Sequence, residues 1–484
     1  MKKQSLLSRL QQILPQDAVL HQAEDLRPYE CDGLSAYRQL PLVVALPDTI
    51  EQVQSILRLC HELDVPVVAR GAGTGLSGGA LPHTDGILLS LAKFSEIISI
   101  NPEQRTAIVQ PGVRNLAISE AASEYGLYYA PDPSSQIACT IGGNIAENSG
   151  GVHCLKYGLT VHNIQQIKII TIQGELLTLG GSGLDSPGYD LLALLTGSEG
   201  MLGVIVEATV KLLPEPAVAR VILAAFDDVV KAGEAVGNII SDGIIPAGLE
   251  MMDKLAIKAA EAFVNAGYPL DADAILLCEL DGGLCEVTEH VKRVKTILDH
   301  YGATEVRVAQ DENERMAFWK GRKAAFPAVG RLSPDYYCMD GTIPRKHLPE
   351  VLRRMGELST EYGLAVANVF HAGDGNLHPL ILYDANTPGE LERTEEFGGR
   401  ILEMCVEVGG SITGEHGVGL EKINQMCVQF ASSELSQFHA IKDAFDPKGL
   451  LNPGKAVPTL HRCAEFGAMH VHHGKLPHPE LERF

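Results

Sequence analysis

The sequence is poor in positive charge and has no long apolar run. Its 484 residues include 39 Lys and Arg against 61 Asp and Glu, a formal net charge of −22. This negative charge repels nucleic acid and anionic lipid, which excludes a general polyanion binder, and an anionic ligand then needs a local positive site. No stretch reaches the roughly 18 apolar residues of a membrane span, and residues 1–9 lack the apolar core of a secretory signal. We therefore expect a cytoplasmic protein that binds no nucleic acid.

Cysteines are few and are not clustered. The ten cysteines are scattered from Cys31 to Cys463, and no two of them form a CxxC pair. This spacing encodes neither a zinc ribbon nor an iron–sulfur cluster of the ferredoxin kind. We expect reduced thiols, and we expect that any iron–sulfur centre this protein works with belongs to another chain.

Length and patterning predict an α+β protein with more than one domain. The chain is long enough for about three domains of roughly 150 residues, and 45% of its residues are hydrophobic. Residues 1–40 are predicted to form an N-terminal helical segment, and residues 41–220 a domain of short buried strands and glycine-rich segments. Residues 221–440 alternate strands with amphipathic helices and are predicted to form a cap domain with an antiparallel sheet. Residues 441–484 are rich in turns and are predicted to return to the first domain.

A glycine-rich segment, residues 71–79, follows the predicted strand 65–70. Within it, Gly73-Thr74-Gly75-Leu76-Ser77-Gly78 satisfies the dinucleotide pattern GxGxxG. A nicotinamide site requires a helix directly after this pattern, but here the next predicted element is the strand 87–91. The residues alone leave two interpretations. The segment is either a loop whose backbone N–H groups bind phosphate oxygens, because no Cβ blocks their approach, or a long turn between two strands.

Further glycine-rich motifs recur in residues 131–135, 142–151, 156–158 and 196–203. With these motifs, residues 40–215 resemble the FAD-binding domain of the vanillyl-alcohol-oxidase (PCMH) type, which has two subdomains. The resemblance implies that the FAD pyrophosphate lies on the first loop and that the isoalloxazine and adenine lie on the other motifs. The residues that it implies for FAD binding are Arg70, Gly71, Ala72, Gly73, Thr74, Gly75, Ser77, Gly78, Pro131, Asp132, Ser135, Gly142, Gly143, Asn144, Glu147, Asn148, Ser149, Gly150, Gly151, Tyr157, Gly158, Glu199, Gly203, Ile205 and Asn452.

The same resemblance bears on how the flavin is attached. Members of that family with covalent flavin carry a histidine in the glycine loop, at the position where this chain has Thr74. A threonine cannot form the linkage to the flavin ring that histidine makes. We therefore expect FAD to be bound non-covalently.

Two histidines lie at the ends of consecutive predicted strands. The strands 365–371 and 377–383 are joined by a five-residue turn with the composition of a hairpin loop, so His371 and His378 are predicted to face each other. With Glu415, from the glycine-rich segment 411–419, they would form a His-His-Glu set with open positions for a catalytic divalent ion. The alternative for each histidine is a buried side chain that is hydrogen-bonded to the backbone.

Taken together, these residues resemble the C-terminal half of the FAD-linked 2-hydroxy-acid dehydrogenases, which include the D-lactate, D-2-hydroxyglutarate and glycolate dehydrogenases. The resemblance implies that a divalent Zn, Mn or Fe ion is held by His371, His378 and Glu415. It implies that His416 is the catalytic base, that Asn376 supports the site, and that Arg322 binds the substrate carboxylate.

The positions that hold a second carboxylate in dicarboxylate-specific relatives resemble Phe326 and Cys338 here. These residues favour a small substrate without a polar far end. Glycolate is the leading candidate and D-lactate a further substrate.

Residues 322–345 and the histidine-rich tail, residues 463–473, are similar to the flavin subunits of bacterial glycolate oxidases. The resemblance implies oxidation of glycolate to glyoxylate with hydride transfer to FAD. It also implies transfer of electrons to a related flavin-domain subunit, an iron–sulfur subunit and quinone, so contact with the membrane would be indirect. The alternatives are a D-lactate dehydrogenase that acts alone, a flavin-carrying subunit without its own substrate chemistry, and a metallohydrolase, which would leave the glycine loops unexplained.

Overall fold

The protein is described from a computed structural model, over residues 2–183 and 186–459. The tail that carries residues 463–473 lies outside these described residues. The described chain forms an N-terminal domain with two separate sheets and a cap domain with one large sheet. This arrangement is the α+β architecture that the sequence predicts.

Two sheets form the N-terminal domain. The first is mixed, with one antiparallel edge strand and three parallel strands, and the second is entirely antiparallel. In spatial order, the first sheet contains Val19–Leu20, Val43–Ala45, Ile87–Ser90 and Val67–Arg70, and the second contains Ile97–Asn101, Thr106–Val109, Val204–Lys211, Ile164–Ile170 and Leu176–Gly180.

Short helices cover these sheets, and a two-stranded ribbon joins Leu127–Tyr128 to Leu213–Pro214. The helix Ile50–Leu63 begins where the sequence predicts, because the Thr49 hydroxyl accepts a hydrogen bond from the Gln52 backbone N–H. The α-helices of this domain are Lys2–Ile13, Ala23–Leu26, Ile50–Leu63, Asn115–Ala122, Ile141–Glu147, Cys154–Tyr157 and Leu191–Leu195, and its 3₁₀ turns are Gln16–Ala18, Arg27–Tyr29, Ser123–Tyr125 and Thr160–Asn163.

The first forty residues are not only helix and loop. The strand Val19–Leu20 adds an antiparallel edge to the first sheet, with Val19 opposite Ala45. The helix Lys2–Ile13 buries Leu6 and Leu10 in the core that this sheet shares with the helix Ile50–Leu63. A two-residue strand has too little periodicity to be predicted from sequence. Because of this strand pairing and this shared core, the segment packs as part of the N-terminal domain instead of preceding it.

The glycine-rich segment lies between two strands that are neighbours in one sheet. Val67–Arg70 and Ile87–Ser90 are parallel, with Val67 opposite Ile87, and residues 71–86 between them contain no helix. The chain therefore has no helix at the position where a nicotinamide site requires one, as the sequence predicts.

The cap domain is built on a seven-stranded antiparallel sheet that is covered on both faces. Successive residues of its long strand Val218–Phe226 enter two different cores, with Ile222 and Ala224 on one face and Val221 and Leu223 on the other. This double burial explains the almost continuous apolar character of the strand. In spatial order the strands are Glu305–Val308, Val218–Phe226, Ala274–Gly282, Gly248–Asp253, Val366–Phe370, Pro379–Tyr383 and Asp335–Cys338.

Helices pack on both faces of this sheet. The helices on one face bury Val236, Val294 and Met355 in one core, and those on the other bury Ile257, Phe318 and Val329. The helices from residue 229 onward are Val229–Ser241, Lys254–Val264, Leu284–His300, Glu312–Lys323, Ala325–Val329, Leu348–Tyr362, Glu390–Glu407, Met426–Gln429 and Ser432–Phe445, with a 3₁₀ turn at Arg345–His347.

Two predicted domain boundaries fall inside secondary-structure elements. The strand Val218–Phe226 spans position 220, and the helix Ser432–Phe445 spans position 440 and packs Phe445 against the core of the second sheet. The chain then returns to the first sheet, where Leu451 forms a parallel bridge with Val67.

Within residues 2–183 and 186–459, none of the helices combines the length and the apolar composition that crossing a membrane requires.

Candidate active site

The two predicted histidines meet at the end of a hairpin in the cap domain. The strands Val366–Phe370 and Pro379–Tyr383 are antiparallel neighbours, and the His371 backbone N–H donates to the Asn376 carbonyl at 3.0 Å to close the turn. Gly375 has φ +86°, a conformation that favours glycine. The ring centroids of His371 and His378 are 5.0 Å apart, as the hairpin prediction requires.

Glu415 completes a compact group with these histidines. Its Oε1 lies 3.2 Å from His371 Nε2 and 3.1 Å from His378 Nε2, and one ligand atom from each residue lies within 4.8 Å of the others. All three residues are buried. Burial would raise the pKa of Glu415, but the two imidazoles hold it well below its ordinary value.

This group fits a divalent ion. Within the described residues, neither ring nitrogen of His378 makes a hydrogen bond of good geometry, although Nε2 lies 3.1 Å from Glu415 Oε1. A buried imidazole that is only paired in this way has a ring nitrogen left for an ion. Two imidazoles and one carboxylate are ligands that Zn, Mn and Fe accept in catalytic sites with open positions.

His416 lies beside the group and is held by a carboxylate that sequence reasoning missed. Its ring stacks on His378 with a centroid distance of 4.9 Å, and its backbone N–H donates to Asp340 Oδ2 at 2.9 Å. Burial lowers the pKa of His416 to about 4, against the opposing effect of Asp340.

Asp340 organises the loop that carries both Glu415 and His416. Its carboxylate also accepts from the backbone N–H groups of Gly414 and Glu415, at 3.1 Å each, and it is completely buried. Burial would raise its pKa, but His416 and His378 hold it below the ordinary value. Asp340, His378 and His416 form a second group whose ligand atoms lie within 4.8 Å of one another. Nothing in the sequence near residue 340 signals that Asp340 contacts the loop with Glu415 and His416, about 75 residues away.

Glu250 is the second missed residue, and it connects Arg322 to His371. Both Glu250 carboxylate oxygens lie 2.9 Å from His371 Nδ1, and Arg322 Nη2 lies 2.5 Å from Oε2. Arg322 and Glu250 are each 1% exposed. The sequence did contain a signal for Glu250. It is the one charged residue among the first five residues of the buried strand Gly248–Asp253, and a buried carboxylate is rare unless it is paired.

One cavity of about 480 Å³ joins the glycine loop to this cluster. Its volume and shape suit a ligand that extends from the N-terminal domain to the cap domain. The predicted residues that line it are Arg70, Gly71, Ala72, Gly73, Thr74, Gly75, Ser135, Gly142, Gly143, Asn144, Glu147, Ser149, Glu199, Gly203 and Ile205, together with His378, Glu415 and His416.

The glycine loop is closely packed by neighbouring side chains. Gly73 has φ +71°, and a Cβ there would lie 2.1 Å from Arg70 Nη2, so the Arg70 guanidinium lies directly against the loop. Arg70 and Lys323 are the only Lys and Arg residues among those that line the cavity. Arg70 therefore places a positive charge at the glycine-loop end of the cavity, where the sequence predicts the FAD pyrophosphate.

Other predicted cofactor residues lie behind the cavity wall and fix its shape. Pro131, Asp132, Asn148, Tyr157 and Gly158 do not line it among the described residues. The Pro131 carbonyl accepts from Asn115, and Asp132 Oδ2 lies 2.9 Å from His153 Nδ1.

Asn148 Oδ1 accepts from the Val161 N–H, and the Tyr157 hydroxyl donates to Asp281 of the cap domain at 2.6 Å. The Gly158 N–H ends the short helix Cys154–Tyr157 by donating to the Cys154 carbonyl.

Two predicted cofactor residues hold the loop that carries Glu415 and His416: Ser77, which does not line the cavity, and Glu199, which does. The Ser77 hydroxyl donates to the His416 carbonyl at 2.9 Å, and Glu199 accepts from the N–H groups of Val418 and Gly419 at 2.7 and 2.6 Å. The loop that carries Glu415 and His416 is therefore bonded directly to the N-terminal domain.

Three further predicted glycines and one asparagine support the same junction. A Cβ on Gly78 would lie 3.2 Å from Leu420 Cβ, and one on Gly150 would lie 2.6 Å from Glu415 Oε2. A Cβ on Gly151 would lie 2.5 Å from the Asp132 carbonyl. Asn452 Nδ2 donates to the carbonyls of Gly79 and Glu199 at 3.0 and 2.7 Å, which joins the returning C-terminal segment to the glycine loop.

The remaining predicted residues lie around the histidine cluster. Asn376 is buried, and a Cβ on Gly414 would lie 2.5 Å from its Cγ. Arg322 does not line the cavity, but Phe326 does, and the centroid of its ring lies 6.0 Å from that of His378. Cys338 is buried within the cap domain core. The end of the cavity next to His378 is therefore partly aromatic.

Comparisons with known proteins identify the family of the chain. A family model described as FAD binding domain matches residues 41–180, and one described as FAD linked oxidases, C-terminal domain, matches residues 215–456. The chain is 69% identical to the glycolate oxidase subunit GlcD of Escherichia coli (strain K12) over 480 residues, which cover 99% of this chain and 96% of that protein. It is 34% identical to the D-lactate dehydrogenase of Archaeoglobus fulgidus, over 86% of this chain and 92% of that protein.

One solved structure extends the comparison to the fold. The crystal structure of p-cresol methylhydroxylase with substrate bound superposes with a TM-score of 0.79, at 18% identity, over 95% of this chain and 98% of that chain. The FAD-binding domain of the PCMH type, predicted from the glycine-rich motifs, is thereby confirmed.

Proposed function

The chain belongs to the family of FAD-linked oxidases, and we propose that it oxidises glycolate to glyoxylate, and D-lactate to pyruvate, with FAD as the hydride acceptor. The observation that carries this proposal is the single cavity that extends from the glycine loop to His378, Glu415 and His416. When bound, FAD supplies a hydride acceptor at N5, and a divalent Zn, Mn or Fe ion supplies positive charge that lowers the pKa of the substrate hydroxyl. A metallohydrolase would use the histidines but not the glycine loop.

We assign the chemistry to a few residues of the cap domain. His371, His378 and Glu415 would hold the ion, and His416 takes the hydroxyl proton when the α-carbon loses hydride. Nδ1 of His416 is buried, so we assign the proton acceptor to Nε2, which lies 4.0 Å from Glu415 Oε1. Asn376 supports the site through the hairpin turn that it closes.

Arg322 is proposed to bind the substrate carboxylate. Glu250 Oε2 lies against its Nη2, but neither Nε nor Nη2 makes a hydrogen bond of good geometry among the described residues. Unused guanidinium donors are suited to a carboxylate. Arg322 is 1% exposed and does not line the cavity, so contact with the substrate requires side chains at this end of the cavity to move. The adjacent residue, Lys323, lines the cavity and adds positive charge at the same end.

The substrate is proposed to be small because Phe326 occupies this end of the cavity. Glycolate and D-lactate differ by one methyl group, which is worth about 1–3 kcal/mol in an apolar pocket. We therefore expect the protein to prefer one of them by no more than about two hundredfold.

Anaerobic titration of the flavin tests this proposal. The purified protein should be yellow, and its flavin absorbance should bleach with glycolate and with D-lactate but not with D-2-hydroxyglutarate, whose second carboxylate meets no partner at Phe326. The methyl ester of glycolate is the matched control for the carboxylate and should bleach the flavin more slowly. A yellow protein that no hydroxy acid bleaches would instead be a flavin-carrying subunit without its own substrate chemistry.

FAD is proposed to be bound non-covalently. Thr74 lines the cavity at the position where covalent relatives carry a histidine. We expect acid precipitation to release all of the flavin into the supernatant. The flavin absorbance of the supernatant measures this release. Flavin that remains with the denatured pellet would contradict this.

Electrons are proposed to leave the flavin through partner subunits. The 69% identical relative is named as a subunit of glycolate oxidase, and the cysteine spacing of this chain encodes no cluster of the ferredoxin kind. We propose a related flavin-domain subunit and an iron–sulfur subunit as partners, with quinone as the final acceptor and with any contact with the inner face of the membrane made through them.

This partner proposal predicts slow reaction with oxygen. The isolated chain should be reduced by glycolate in a single turnover and should reduce an artificial dye quickly. Its oxygen consumption, measured with an electrode in the same buffer, should be much slower than its dye reduction. Sustained oxygen consumption with matching peroxide formation would show an oxidase that needs no partner.

A further inference from the structure

Glu250 is a buried carboxylate that the proposed chemistry does not use. It lies in the strand Gly248–Asp253, whose register places Met251 opposite Phe370 and therefore Glu250 beside His371. Both of its carboxylate oxygens lie 2.9 Å from His371 Nδ1. A carboxylate in a strand core with 1% exposure is costly unless it is paired.

The contact with Glu250 determines which nitrogen of His371 carries the proton. A carboxylate only accepts hydrogen bonds, so Nδ1 carries an N–H, and Nε2 is the nitrogen that is left to bind an ion. Nε2 is the nitrogen that lies 3.2 Å from Glu415 Oε1. Glu415 is also an acceptor, so without an ion Nε2 donates to it, and an ion between them would take the Nε2 lone pair in place of that proton.

Arg322 makes the buried charge of Glu250 tolerable. Its Nη2 lies 2.5 Å from Glu250 Oε2, and the guanidinium is as buried as the carboxylate. Three different elements thus meet in one chain of contacts: the helix Glu312–Lys323, the strand Gly248–Asp253 and the end of the strand Val366–Phe370. Arg322 orients Glu250, and Glu250 orients His371.

We propose that Glu250 is a positioning residue that sets the tautomer and the ring orientation of His371, with Arg322 as its counter-ion, and so sets the affinity of His371, His378 and Glu415 for a divalent ion. The inference rests on the metal site in the proposed function. Carboxylates that accept from the second nitrogen of a ligating histidine are a general feature of metal sites, and their loss weakens metal binding by about 10–100-fold.

The test compares the metal affinities of Glu250→Gln and Glu279→Gln. Glutamine has the shape of glutamate without its charge, so Glu250→Gln should raise the Kd for Zn²⁺, measured by competition with a chelator on the FAD-loaded protein, by about 10–100-fold. Glu279 is the matched control, because it is a buried carboxylate on the neighbouring strand that contacts Arg315 and His153 instead of the histidine cluster. Its variant should keep the wild-type Kd.

The melting temperature and the flavin spectrum separate positioning from general structural damage. Glu250→Gln should change the Kd while it retains FAD, and a variant with wild-type Zn²⁺ affinity would overturn the proposal. If it bleaches normally with glycolate and also keeps that affinity, the inference fails and the proposed function stands.

The wild-type protein gives a second test that needs no variant of Glu250. Long-range ¹⁵N–¹H spectra of histidine-labelled protein, with His371 assigned through His371→Gln, should show a proton on Nδ1 both with Zn²⁺ and without it. Loss of the Nδ1 proton when Zn²⁺ binds, or Zn²⁺ on Nδ1, would overturn the proposal. If the wild type binds no divalent ion, the metal part of the proposal is overturned and the spectra still report the tautomer.

Discussion

Replacing His416 by asparagine is expected to slow anaerobic reduction of the flavin by glycolate by about 10²–10⁴-fold, with FAD still bound. The imidazole lines the cavity and stacks on His378 with a centroid distance of 4.9 Å, so it is placed to take a proton from a substrate that contacts the cluster. Asparagine retains a polar side chain of similar size but cannot accept the proton. Stopped-flow absorbance of the flavin measures the effect directly.

His300→Asn is the control for this variant. His300 is exposed at the end of the helix Leu284–His300, far along the chain from the cluster, and its variant should reduce flavin at the wild-type rate. A His416→Asn protein with near-wild-type kinetics would remove this residue from the mechanism. Loss of FAD in the same variant would show that His416 has a structural role.

Removing the proposed divalent ion is expected to have an effect of similar or larger size. A Lewis acid next to a reacting oxygen contributes several kcal/mol to transition-state stabilisation, which corresponds to a decrease of about a thousandfold or more in flavin reduction. Protein treated with a chelator and shown by elemental analysis to be metal-free should be reduced by glycolate at this lower rate. Adding back the ion should restore the wild-type rate.

His378→Ala distinguishes loss of the ion from nonspecific effects of the chelator. His378 Nε2 lies 3.1 Å from Glu415 Oε1, and both residues are buried, so its removal opens the group and leaves Glu415 with one imidazole. The variant should be slow with or without added ion. Full activity of a verified metal-free wild type would reduce His371, His378 and Glu415 to structural residues.

Local chemistry made much of this protein predictable. Thr49 begins a helix because a hydroxyl can cap it, and the turn between His371 and His378 has the composition of a hairpin, so both features follow from residues close together in the chain. The absence of a helix after the glycine loop could be inferred for the same reason.

Positions far apart in the chain were less predictable. Pro131, Asp132 and Tyr157 lie in motifs with the right composition, but the folded chain turns them toward Asn115, His153 and Asp281 instead of the cavity. A motif records which residues are present, and packing decides which of them face a ligand.

The sequence by itself determined the α+β fold, the family, the glycine loop and the identity of the histidine cluster, because these depend on local patterns of glycine, apolar residues and histidine. Only the tertiary structure decided that Asp340 holds the loop with Glu415 and His416, and that Glu250 connects Arg322 to His371. The physical reason is that a buried carboxylate must find its partners in space, and here they lie on strands and loops about 75 to 120 residues away.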